Sequence, residues 1–198
     1  MDGNSIIQDH VAAGTVVRKK FFAENADLLQ KAALLTARSL AGGGKLLICG
    51  NGGSAADSQH IAAEFVNRFL MDRPALPSIA LTTDTSILTA VGNDSDFSKV
   101  FGRQIEALGH EGDVLLAIST SGTSENVVYA ANVARERHLK VIGLTGEGGG
   151  DLGKICDILL AVPSRHTPVI QEVHLTCEHL LCQLVDHYLF ENAAALQE

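Results

Sequence analysis

The stretch KLLICGNGGSAADSQHIAAEF, Lys45 to Phe65, reads as a short strand, a glycine-rich turn and a helix. KLLICG (45–50) is short, almost wholly apolar and bounded by turn residues, the pattern of a strand covered on both faces. The pattern returns at SIALT (78–82), DVLLAIS (113–119), KVIGLTG (140–146) and DILLAVP (157–163). Helical stretches lie between and after these runs, at about 54–70, 85–91, 97–108, 124–138 and 168–190. This alternation predicts an α/β fold, a three-layer αβα sandwich around a five-stranded, mostly parallel sheet. Residues from about 5 to 40 are helical as well. The polar AEN at 23–25 is expected to divide them into two helices, with Asn25 as a possible N-cap, and AGGGK to stop the second. These helices are expected to pack outside the sandwich. With no repeat, low-complexity run or linker, the whole chain, 1–198, is expected to be one domain: a helical segment (1–40) on an α/β core (41–198).

Composition narrows the function. The formal charge is −8, and a nucleic-acid groove needs a basic stripe instead. No apolar run approaches the ~18–20 residues of a membrane span. MDGNSIIQDH lacks the basic and apolar regions of a signal peptide, so a cytoplasmic protein with no nucleic-acid or membrane partner is expected. Cys49, Cys156, Cys177 and Cys182 show no CxxC spacing and read as free thiols, buried in a reducing compartment.

In parallel α/β folds ligands sit beyond the carboxyl ends of the strands, which here means 50–56, 83–94, 119–124 and 146–151. GNGGSA (50–55) matches GxGxxA, the dinucleotide fingerprint. That fingerprint needs an acidic residue ~20 positions on, whereas Asp84 comes more than thirty residues after the turn. There is no GxxxxGK[ST] either, so no nucleotide cofactor is expected. The turn in ISTSGTSENV (118–127) offers Ser119, Thr120, Ser121, Thr123 and Ser124 around Gly122. A single hydroxyl such as Ser124 would read as a helix cap. So many hydroxyls at a strand-to-helix turn point instead to a neutral anion cradle. Lacking lysine, it suits a phosphate monoester that is held and not transferred.

His60 and Glu64, at i and i+4, share a helix face, although HIAAE is not the HExxH pattern. Gln171 and His179 are eight residues apart, about 80° around a helix, and can face one cleft. His174 and Glu178 lie nearby and geometry alone does not rank them. Glu172, Glu178 and His187 are expected to be solvated or at an interface.

CGNGGSAADSQHIAAEF, VGND, DVLLAISTSGTSENV and VIQEVHLTCEHLLCQL together resemble the SIS-domain sugar isomerases, and within them the phosphoheptose isomerase family, from about residue 5 to 190. The resemblance implies conversion of D-sedoheptulose 7-phosphate to D-glycero-D-manno-heptose 7-phosphate through an enediol, feeding a surface glycan such as lipopolysaccharide. It assigns Glu64 as catalytic base and His179 as its acid–base partner. It assigns His60, Glu64, Gln171 and His179 to a zinc ion, one per subunit. Ser119, Thr120, Ser121 and Ser124 would grip the phosphate. Asn51, Gly52, Gly53, Ser54, Glu64, Asn93, Asp94 and Gln171 would meet the sugar, and the subunits would form a homotetramer. Pro168 stands about where some relatives carry an aspartate, which bears on fine substrate geometry. A non-catalytic SIS branch that associates with the bacterial replication initiator resembles NRFLMDRPALPSIALTTDTSILTA and ALGHEGDVLLAIST, but does not keep the full acid–base set that Glu64 and His179 represent. Sugar-phosphate-sensing regulators usually append a basic DNA-binding domain, for which this chain has no room. Isomerases of five- or six-carbon sugar phosphates are the remaining alternative.

Overall fold

The computed structural model describes residues 2–197. Its five strands are β1 (Leu46–Gly50), β2 (Ser78–Ala80), β3 (Val114–Ser119), β4 (Lys140–Thr145) and β5 (Ile158–Ala161). They form one sheet in the order β2-β1-β3-β4-β5, with every pair parallel. Leu46 stands opposite Ser78 on one side and Val114 on the other. The helices are α1 (Gly3–Ala41), α2 (Gly53–Val66), α3 (Thr85–Asp94), α4 (Gly102–Leu108), α5 (Glu125–Glu136) and α6 (Thr167–Asp186).

The period of two along each strand divides the core. Leu46, Ile48, Leu116 and Ile118 pack with α1, α2 and α6 on one face. Leu47, Cys49, Leu115 and Ala117 pack with α4 and α5 on the other. This is the expected three-layer sandwich, with a sheet that is wholly rather than mostly parallel. Covering on both faces is complete in β1 and β3. It fails at the edges, where Ile79 of β2 is exposed and β5 is only half-buried.

The expected pair of N-terminal helices is a single helix of 39 residues, α1. The polar AEN does not interrupt it, because Asn25 is not an N-cap. Its amide bonds back to the Phe21 carbonyl inside the helix, at 2.9 Å. Phe21, Leu29, Ala32 and Ala33 continue a buried face across that point.

Strand order positions the site. From β1 the chain goes to β2 on one side, then crosses back to β3 on the other. The carboxyl ends of β1 and β3 are therefore adjacent where the winding reverses, the place at which such sheets open a crevice. The glycine turn follows β1 and the serine turn follows β3.

Candidate active site

The glycine turn makes room for a side chain from another element. A Cβ at Gly53 would meet the amide of Gln171, so a larger residue there would push the end of that side chain out of its place against this backbone. Asn51 and Asn126 exchange two amide hydrogen bonds, each 2.8 Å, which tie this turn to α5. Ser54 is buried at the start of α2.

Ser124 occupies the N-cap of α5, yet its side chain makes no capping bond. Its hydroxyl turns back to lie 2.9 Å from Oγ of Ser119, which is 3.4 Å from Oγ of Ser121. The Gly122 N–H donates to Ser119 Oγ at 3.1 Å. Three hydroxyls thus converge at a helix N-terminus, where amides and the helix dipole favour an anion. Gly122 has φ +69°, and a Cβ there would sit 2.2 Å from the Gly149 carbonyl, so the serine turn stacks directly on the turn after β4. Thr120 and Ser121 line a cavity of about 330 Å³ with Thr167 and Ile170 at the start of α6. Pro168 lies in that first turn, where a missing N–H costs nothing.

His60 of α2, with Glu64 beside it, meets His179 of α6 where the two helices face each other. Nε2 of His60 and Nε2 of His179 are 2.9 Å apart, so one ring carries the proton between them. Oε1 of Glu64 is 3.7 Å from His60 Nε2. Phe69 stacks on the His179 ring, with centroids 5.4 Å apart. Among the described residues no group of three or more His, Cys, Asp or Glu side chains has the arrangement of a metal cage. The two imidazoles are in direct hydrogen-bond contact instead. Asn93 and Asp94 hydrogen-bond to each other at 2.7 Å at the exposed end of α3. Asp94 lines a different cavity, of about 500 Å³, with Lys99, Arg103 and Tyr129.

Glu178 corrects its reading as a solvated or interface group: it is fully buried. Neither of its oxygens, nor Oδ2 of Asp57, has a hydrogen-bond partner among the described residues. Burial, reinforced by the Asp57 charge, pushes the Glu178 carboxyl up to about 8, so it is a neutral acid at pH 7. Glu172 does lie at the surface, paired with His10 of α1 at 2.7 Å, and His187 pairs with Glu191. Asp57, Phe69 and Asn126 are the neighbours that the sequence left unmarked. Only Asn126 carried a signal, as the second residue of the helix that follows the serine turn.

The profile described as SIS domain matches residues 9–146. Phosphoheptose isomerase of Desulfovibrio desulfuricans is 60% identical over 191 residues, 96% of this chain and 91% of the relative. That of Nitratidesulfovibrio vulgaris (Miyazaki F) is 55% identical over 196 residues, 99% of this chain and 94% of the relative. The chain belongs to the phosphoheptose isomerase family. Among solved phosphoheptose isomerases, that of Francisella tularensis superposes with a TM-score of 0.91 at 40% identity, covering 94% of this chain and all of that one. The Neisseria gonorrhoeae phosphoheptose isomerase gives 0.88 at 43% identity, covering 92% and 98%. In this member of the family, the hydroxyl cradle and the Glu–His cluster occupy turns and helices at one end of the sheet.

Proposed function

We propose that this chain is a phosphoheptose isomerase that interconverts sedoheptulose 7-phosphate and the corresponding aldoheptose 7-phosphate, within a single SIS domain spanning 1–198. The observation that carries the reading is the meeting of His60 with His179 at 2.9 Å, from two helices more than a hundred residues apart in sequence, with Glu64 3.7 Å from the same His60 nitrogen. A non-catalytic SIS protein has no need to bring a carboxylate and two imidazoles together.

Ser119, Thr120, Ser121 and Ser124 hold the phosphate as a handle. Asn51, Gly52, Gly53, Ser54 and Gln171 orient the sugar, with Asn93 and Asp94 assigned to it by the resemblance alone. Glu64 removes a proton from C1 of the ketose, leaving an enediol, and returns a proton to C2. His179 takes the proton from O1 and delivers one to O2, so the isomerisation balances without an external reagent. Phe69, stacked on the His179 ring, restrains the plane of that imidazole.

Zinc fits the donor set. Two imidazole nitrogens face each other beside a carboxylate, and Gln171, packed against Gly53, stands on the helix that carries His179. His60, Glu64, Gln171 and His179 would hold it. When bound, it would supply Lewis acidity at the sugar's carbonyl oxygen. A homotetramer in the cytoplasm is the assembly proposed. It is supported by the exposed apolar side chains Ile6, Ile7, Val11 and Val16 on α1. Among the described residues no helix is long and apolar enough to cross a membrane.

The test is turnover of sedoheptulose 7-phosphate by purified protein, beside five- and six-carbon ketose phosphates, with metal content measured before and after chelation. Glu64→Gln is expected to keep its fold and lose about 10²–10⁴-fold in kcat. Near-normal turnover in that variant removes Glu64 as the base. If zinc is absent and its addition changes nothing, Glu64 and His179 act unaided.

A further inference from the structure

The reacting side chains stand on two helices, and their spacing is only as exact as the link between those helices. Glu64 and Phe65 lie in the last turn of α2, where backbone carbonyls have no intrahelical N–H to accept. Arg73, in the connection from α2 to β2, supplies donors there. Its side chain is only 2% exposed. Nη2 donates to the Glu64 carbonyl at 2.9 Å. Nη1 donates to the Phe65 carbonyl at 2.8 Å and to the Pro74 carbonyl at 3.1 Å. Nε donates to Oδ1 of Asp186 at 2.8 Å, at the last residue of α6. His179 and Asp186 are seven residues apart, two turns along one face of that helix.

Resting on the isomerase reading, we propose that Arg73 is a positioning residue: through Glu64, Phe65 and Asp186 it fixes how α2 meets α6, and so the approach of His60 and Glu64 to His179. Stability alone is a weak reason for this arrangement, because a buried ion pair can be replaced by apolar groups with little loss or a gain. Geometry is a better one. The guanidinium is a rigid fork whose donors reach two backbone carbonyls and a carboxylate at fixed angles, which neither lysine nor an apolar side chain reproduces.

The experiment separates the two roles. Arg73→Met combined with Asp186→Leu removes both charges and leaves an apolar contact. It also leaves the Glu64 carbonyl without its Arg73 donor, so its melting temperature is expected to fall by several degrees, and kcat is compared well below the midpoint. Its kcat on sedoheptulose 7-phosphate should fall about 10- to 100-fold with KM little changed, the size of effect that a small misplacement of reacting groups produces. Arg73→Lys, which keeps the charge and loses the fork, should show the same split in weaker form, and it decides the matter if the double variant does not fold. The ring NMR signals of His60 and His179 should shift in each folded variant. That readout needs no turnover, so it stands even if the wild-type protein proves inactive on every ketose phosphate. Wild-type kcat with unmoved histidine signals in either folded variant would overturn the proposal.

Discussion

Ser124 shows how one side chain's direction separates two roles. As a cap it would accept a bond from an amide in the first turn of α5, but its hydroxyl points to Ser119 instead. Replacing Ser121 and Ser124 together by alanine should therefore weaken phosphorylated ligands about a hundredfold or more, since hydrogen bonds to charged groups contribute ~1.5–3 kcal/mol each. The unphosphorylated heptulose should be almost unaffected. Competition by inorganic phosphate in calorimetry checks this, and equal losses for both ligand types would return the turn to a capping role. The hydroxyl cluster was legible because its residues are contiguous in sequence. Glu178 and Asp57 were not, because their burial is created by α2 lying against α6, and a glutamate on an amphipathic helix gives no sign of such a neighbour.

Helix α6 carries the proposed acid–base residue His179 and, about one turn and a half before it, an internal constraint on acid stability. His174 is fully buried and its Nε2–H donates to the Thr145 carbonyl at 3.0 Å. Burial pulls its pKa down to about 4, although the bond to Thr145 opposes this. Between about 4 and 6.5 the unfolded chain binds a proton at this position and the native chain does not. Stability thus rises with pH across that window and is lost as the pH falls through it. The loss between pH 7 and pH 5 is about 2 kcal/mol, or ~4–8 °C in Tm for a chain of this size. His174→Gln, which can still donate to Thr145, should flatten that acid limb in a melting series run without metal. Strand positions were readable because short apolar runs between turn residues leave few alternatives. The continuity of α1 was not, because AEN is compatible with both a break and a helix. The buried face that runs through Phe21 and Leu29 decides in favour of the helix.

In the molecule as a whole, α1 extends about 58 Å at 1.5 Å per residue. Its second half is buried on the sheet, while Ile6, Ile7, Val11 and Val16 of its first half are exposed. Light scattering should give a mass near four times the chain's 20.9 kDa. Val11→Asp with Val16→Asp should lower it, and an unchanged mass would remove this half of α1 from the contact between copies. The order of the strands has a further consequence, for synthesis. On a ribosome β1 emerges early, but its β3 neighbour is complete only when Ser119 has been made, and α6 follows forty-eight residues later still. An apolar strand must wait with one edge bare, and pairing over such separations is slow. A nascent chain stopped before Thr167 would already contain the serine turn but neither Gln171 nor His179. Until α6 is made, the cavity beside that turn lacks Thr167 and Ile170, so closing the pocket and delivering the proposed acid–base histidine are one event in synthesis.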